Sequence, residues 1–153
     1  MALLGLSTIA YAQRALTLPG DRIYEGNLED GEPYGFGTMV YPNGTRYQGQ
    51  FVNGYREGRG SAVFYDGTRY EGEWRNDIPH GRGTMQWLTG ERYEGDLVEN
   101  TRSGHGVMIF SDGTRYDGEW RNDTMNGRGV MTLPGGQRHE GLFVNGEWLG
   151  SAR

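Results

Sequence analysis

The chain has no cysteine in its 153 residues, which removes disulfides and thiolate chemistry and leaves the compartment open. It has no basic excess either. The formal net charge is −5, so its overall field is not built to bind nucleic acid or an anionic membrane. Hydrophobic residues are scarce, at 35%. Such scarcity can signal disorder, but ten tyrosines and four tryptophans argue against it, because disordered chains are poor in aromatics. The apolar run at residues 1–12, MALLGLSTIAYA, is too short to span a bilayer. The length suits one ordinary domain.

Glycine is abundant, at 28 residues. Its distribution is periodic, which rules out simple low complexity. Tyr24, Tyr47, Tyr70, Tyr93, Tyr116 and His139 follow one another at intervals of 23 residues. Two positions after each stands a glycine: Gly26, Gly49, Gly72, Gly95, Gly118 and Gly141. Further columns run through Gly35 and Gly58, Gly37 and Gly60, and Gly44 and Gly67 at the same period. Many turns, few aliphatics and regularly spaced rings favour short strands in a repeat array.

The units YEGEWRNDIPHGRGTMQWLTGER (Tyr70 to Arg92) and YDGEWRNDTMNGRGVMTLPGGQR (Tyr116 to Arg138) resemble the MORN repeat, the membrane occupation and recognition nexus motif. Units start at residues 24, 47, 70, 93 and 116, with a partial sixth at 139, so the array covers 24–150. The last unit departs from the pattern: histidine replaces tyrosine at 139, and a second strand is missing. The resemblance implies an array that organises protein partners or self-assembles. Association with membrane lipid is the alternative it carries. The resemblance implies that catalysis in the family comes from attached domains, and none is expected here.

Alternation of period two assigns the faces. Tyr70, Gly72 and Trp74 share one face, and Glu71 and Glu73 the other. In the second strand Gly81, Gly83, Met85 and Trp87 share a face, with Thr84 and Gln86 opposite. Turn chemistry then sets register. A two-residue loop at Asn43-Gly44 would split the apolar residues between faces. A three-residue loop, Pro42-Asn43-Gly44, sets Met39 opposite Tyr47 and keeps them together. The expected fold is all-β: an elongated single-layer antiparallel meander of eleven or twelve strands, on the order of 50 Å long at about 4.8 Å per strand.

Two readings stand for residues 1–12: a signal peptide ending at Ala10-Tyr11-Ala12, or a helix capping the first repeat. The first implies export or membrane association, the second a cytoplasmic protein. Residues 13–23 read as a linker. The glycosylation triplets at Asn43 and Asn122 coincide with turns that the repeat already explains.

Candidate chemistry is sparse. His80, His105 and His139 are held apart by the repeat, have no fixed carboxylate partner and read as turn residues. No catalytic residue, metal site or cofactor is expected. Arg46, Arg69, Arg92, Arg115 and Arg138 recur every 23 residues among acids such as Glu71, Glu94 and Asp117. A salt-bridge lattice on the polar face is favoured over a lipid head-group ladder, because that face is net negative. The candidate interaction surface is the ring stripe Tyr47, Phe51, Phe64, Tyr70, Trp74, Trp87, Tyr93, Phe110, Tyr116 and Trp120. If uncovered it is a binding patch; otherwise the rings bury one another, and the rim can still bind. His139, Leu142, Phe143, Trp148 and Leu149 form a candidate assembly edge. A bare last strand there would pair with the chain's own tail or with a second copy. The partner expected is a protein of unspecified identity or another copy of the chain, with membrane lipid the weaker reading and nucleic acid excluded.

Overall fold

The computed structural model describes residues 14–151. Thirteen strands form one antiparallel sheet, in which each strand pairs with its neighbours in sequence. They are β1 (Leu16–Leu18), β2 (Arg22–Glu29), β3 (Glu32–Val40), β4 (Arg46–Val52), β5 (Tyr55–Val63), β6 (Arg69–Arg75) and β7 (Ile78–Gln86). The sheet continues with β8 (Arg92–Val98), β9 (Thr101–Ile109), β10 (Arg115–Arg121), β11 (Thr124–Thr132), β12 (Arg138–Val144) and β13 (Glu147–Gly150). No helix occurs among the described residues, and the single-layer meander expected from the repeat is the fold.

Register follows the burial argument. Met39 lies opposite Tyr47 across β3 and β4. The loop between them is a three-residue turn: Gly44 N–H donates to the Tyr41 carbonyl at 2.9 Å, and Tyr41 N–H to that of Thr45 at 2.9 Å. Gly44 takes a left-handed φ of 90°, as the last position of this turn requires. The other hairpin turn of each unit has two residues, both with positive φ. At Asn76 and Asp77 the values are 46° and 68°. That is the twist-matched primed turn, built here without glycine.

Each unit's hairpin is interrupted. Between β4 and β5 the register shifts after Gly49 paired with Gly60, so that Phe51 pairs with Arg56. The Gln50 carbonyl is left out of the ladder, and the Tyr47 hydroxyl donates to it at 2.8 Å. Tyr70, Tyr93 and Tyr116 do the same for the carbonyls of Glu73, Asp96 and Glu119, and the Tyr24 hydroxyl donates to that of Asn27, which pairs with Tyr34 in β3. The repeated tyrosine is therefore both a core ring and the partner of a bulge carbonyl that would otherwise be unsatisfied.

The ends differ from expectation. The segment 13–23 was expected to be a linker, but Leu16–Leu18 forms β1 and pairs with β2, which itself begins at Arg22. The last unit was expected to lack a second strand. Instead the chain turns at Asn145-Gly146, with φ of 49° and 86°, and β13 returns along β12. The strand count is thirteen because both ends add a strand. The two readings for residues 1–12 fall outside the described residues.

Candidate interaction face

A single-layer sheet has no second layer to bury its apolar face, so the face must cover itself. It does so with rings. Tyr47 meets Phe51 at 5.0 Å between centroids and Trp74 at 5.1 Å, both edge-to-face. Tyr70 meets Trp74 at 5.1 Å. Further along, Tyr93 meets Trp120 at 5.6 Å, Tyr116 meets Trp120 at 5.3 Å, and Tyr116 meets Phe143 at 4.9 Å. Such pairs contribute about 0.5–1.5 kcal/mol beyond their burial. Burial pushes the phenols of Tyr47, Tyr70, Tyr93 and Tyr116 above the ordinary tyrosine value, because it penalises the charged form.

The ten-residue stripe therefore divides. Tyr47, Phe51, Tyr70, Trp74, Tyr93, Tyr116 and Trp120 are buried, none more than 5% exposed, and form the core. They are not available as a surface. Phe64, Trp87 and Phe110 are half-buried and pack against that core as a rim. At the assembly edge, Phe143 is core, packed on Tyr116. His139 stacks edge-to-face on Trp148 at 4.5 Å. Leu142, Trp148 and Leu149 stay exposed.

A second column, absent from the sequence reading, locks successive units together. The second residue of each two-residue turn donates its N–H to a carbonyl of the preceding unit: Asp77 to Arg56 at 3.0 Å, Asn100 to Pro79 at 2.7 Å, Asp123 to Arg102 at 3.0 Å. Where that partner is arginine, the side chains join in. Arg56 Nε donates to Asp77 Oδ1 at 3.2 Å, and its guanidinium lies 4.5 Å from the Trp74 ring centroid. Arg102 repeats this with Asp123 at 2.9 Å and Trp120 at 4.6 Å. At the alternate junction the same positions hold Pro79, Leu97 and Asn100, with no such clamp. The signal was the joint change of Arg, Trp and Asp at every second unit.

The polar face carries part of the expected lattice. Arg92 pairs with Glu94 at 2.9 Å, Arg115 with Asp117 at 2.8 Å and Arg138 with Glu140 at 3.7 Å. Arg46 and Arg69 make no ion pair among the described residues and line an open groove with Gln48, Ser61 and Thr84. Asp96 also accepts the His105 N–H of the bulge at 3.0 Å.

The histidines were expected in turns without a carboxylate. His80 lies in β7 and His105 in β9. His105 Nε2 is 3.1 Å from Asp117 Oδ1, because pairing of β9 with β10 brings adjacent polar-face columns together. No hydroxyl or second histidine completes a triad in the contacts of this pair. No group of three metal-ligating side chains converges among the described residues.

These features define a tandem β-hairpin repeat whose ring column and glycine pairs recur at each unit. The MORN repeat model matches residues 24–46, 47–69, 70–92, 93–115 and 116–138, and the chain belongs to the MORN repeat family. No curated protein matches it. Among solved structures it is similar to the TCP domain of Drosophila melanogaster SAS-4 (dCPAP), in complex with a proline-rich motif of Ana2 (dSTIL). That match has 15% identity and a TM-score of 0.45, and covers 92% of this chain and 96% of the other. It is also similar to the TCP10 domain of Danio rerio CPAP, in complex with a peptide of Danio rerio STIL. That match has 19% identity and a TM-score of 0.37, and covers 84% of this chain and 75% of the other.

Proposed function

We propose that the chain is a non-catalytic protein-interaction module, a rigid sheet that presents a rim of rings to a partner protein. The observation that supports this is the division of the stripe. The tyrosine and tryptophan rings are buried as core, while Phe64, Trp87 and Phe110 stay half-buried at intervals of 23 residues. Ring side chains at the edge of a packed core are favoured anchors for a partner. The clamps at Arg56 and Arg102 stiffen the array, so little ordering cost falls on binding.

Co-purification from the native cell tests the reading, comparing the parent with a Phe64→Ser, Phe110→Ser variant of matched β-sheet circular dichroism. The reading expects a near-stoichiometric partner that the variant loses. Identical companions for both proteins would reject it.

Association with phospholipid is a second reading. It is favoured by one observation: Arg46 and Arg69 are unpaired beside an open polar groove. The acidic chain counts against it. Sedimentation with vesicles of anionic phospholipid at low salt separates the two readings.

A further inference from the structure

The ring ladder breaks once. In the column Phe51, Trp74, Leu97, Trp120 and Phe143, the first four each sit between two tyrosines and Phe143 between Tyr116 and His139; four of the five are aromatic. Phe51 joins Tyr24 to Tyr47, Trp74 joins Tyr47 to Tyr70, and Trp120 joins Tyr93 to Tyr116. Leu97 stands where a ring would join Tyr70 to Tyr93, and no ring contact crosses that point.

The consequence is an open cavity of about 380 Å³ over Leu97, walled by Phe64, Met85, Trp87 and Tyr93. Trp87 is the wall that most needs a neighbour. One unit earlier, the equivalent Phe64 has the Trp74 ring at 6.4 Å, whereas Trp87 has no ring partner among the described residues. Its indole N–H also has no acceptor among the described residues, although those of Trp74 and Trp120 donate to Gly60 and Gly106 at 3.1 Å. The clamp is missing at the same junction. Proline replaces arginine at 79 and asparagine replaces aspartate at 100, while Asp66 and Asp123 lie on the cavity wall with Arg102, which Asp123 already engages. Two groups that the neighbouring junctions supply, a ring and a cation over it, are absent from this one.

We infer that the notch over Leu97 is the docking site for an aromatic side chain of a partner polypeptide, with an arginine or lysine beside it. The ring enters between Trp87 and Tyr93 and completes the ladder. The Trp87 indole N–H donates to a backbone carbonyl of the partner. The neighbouring cation lies against the Trp87 ring and toward Asp66, as Arg56 lies on Trp74 toward Asp77. This rests on the reading of the chain as a protein-interaction module and names its anchor.

The test uses acetyl-Trp-Arg-amide as a probe, with acetyl-Trp-Glu-amide as the charge control. Nuclear magnetic resonance of the indole N–H signals in the ¹⁵N-labelled full chain is the readout. The Trp87 signal moves saturably with the first probe, with Kd on the order of 0.1–1 mM for a ligand this small. The control binds several-fold more weakly. Leu97→Trp fills the notch from within and weakens the probe at least about tenfold. Trp87→Leu, followed through the Leu97 methyl signals, serves as the second variant should the first overpack, and weakens the probe comparably. An unmoved Trp87 at about 10 mM probe, or undiminished binding by a folded variant, overturns the site; equal binding of both probes overturns the cation. No partner protein is needed, so silence at Trp87 rejects the notch and leaves the interaction reading to co-purification.

Discussion

The phenol of Tyr47 stands so close to Gly60 that a β-carbon on the glycine would lie 2.3 Å from its oxygen. The same contact recurs between Tyr70 and Gly83, where the nearest approaches are 2.4 Å. The glycine pairs are therefore the floor on which the ring column rests. Gly60→Ala or Gly83→Ala forces the ring off its bulge carbonyl and destabilises the array by about 1–3 kcal/mol. Glu71→Gln, on the exposed polar face, changes stability by about 0–1 kcal/mol. Urea midpoints for the three variants check this, and equal midpoints contradict the face assignment.

The clamp between units is the second target. Arg56 is held by the Asp77 carboxylate, the Asp77 carbonyl at 2.8 Å and the Trp74 ring. Its side chain is only 15% exposed. Asp77→Ala strands a mostly buried guanidinium and lowers stability by about 1–3 kcal/mol, more than Glu94→Ala at the exposed pair with Arg92. Arg56→Lys does not rescue, because a lysine lacks the planar fork that reaches both oxygens. Thermal unfolding of the variants, with a double-mutant cycle through Trp74, measures the coupling.

Alkali acts through the core phenols. Burial raises their folded pKa above the unfolded value, so the protonated state is bound more tightly in the fold. Stability from this source is complete below the unfolded pKa of 10.0 and is lost as pH rises through the folded values, to about 12 for Tyr116. Phenolate absorbance and circular dichroism followed together above pH 10 test it. These tyrosines should ionise only as the β signal is lost; ionisation in a still-folded sheet would contradict it.

The C-terminal edge is where self-association is expected. β13 is four residues long, and its Trp148 and Leu149 are 41% and 61% exposed. Among the described residues no further strand pairs with β13, and an edge carrying apolar side chains, with Glu147 as its acid, is a template for another strand. Light scattering across a concentration series should show association that Leu149→Lys removes. A clean monomer at high concentration for the parent contradicts this.

Much of this was legible because two periods agree. Alternation placed Tyr70 and Trp74 on one side, and the need to keep Met39 with Tyr47 fixed the register. The sequence left the fate of the stripe open, because alternation shows which face a ring is on but not whether its neighbours cover it. The clamps were hidden for another reason. Arg56 and Asp77 are 21 positions apart, and they meet only because the Asn76-Asp77 turn adopts positive φ without glycine and folds back on the preceding unit. β1 was too short to announce itself, and β13 was announced only by Asn145-Gly146.

A photo-crosslinking amino acid placed at position 87, and as a control at position 71 on the opposite face, shows whether the ring rim holds a partner protein. Irradiated in the native cell, the chain carrying it at 87 should give a discrete adduct with one protein, and the chain carrying it at 71 should not. Discrete adducts from 71 and none from 87 would contradict a partner-binding rim.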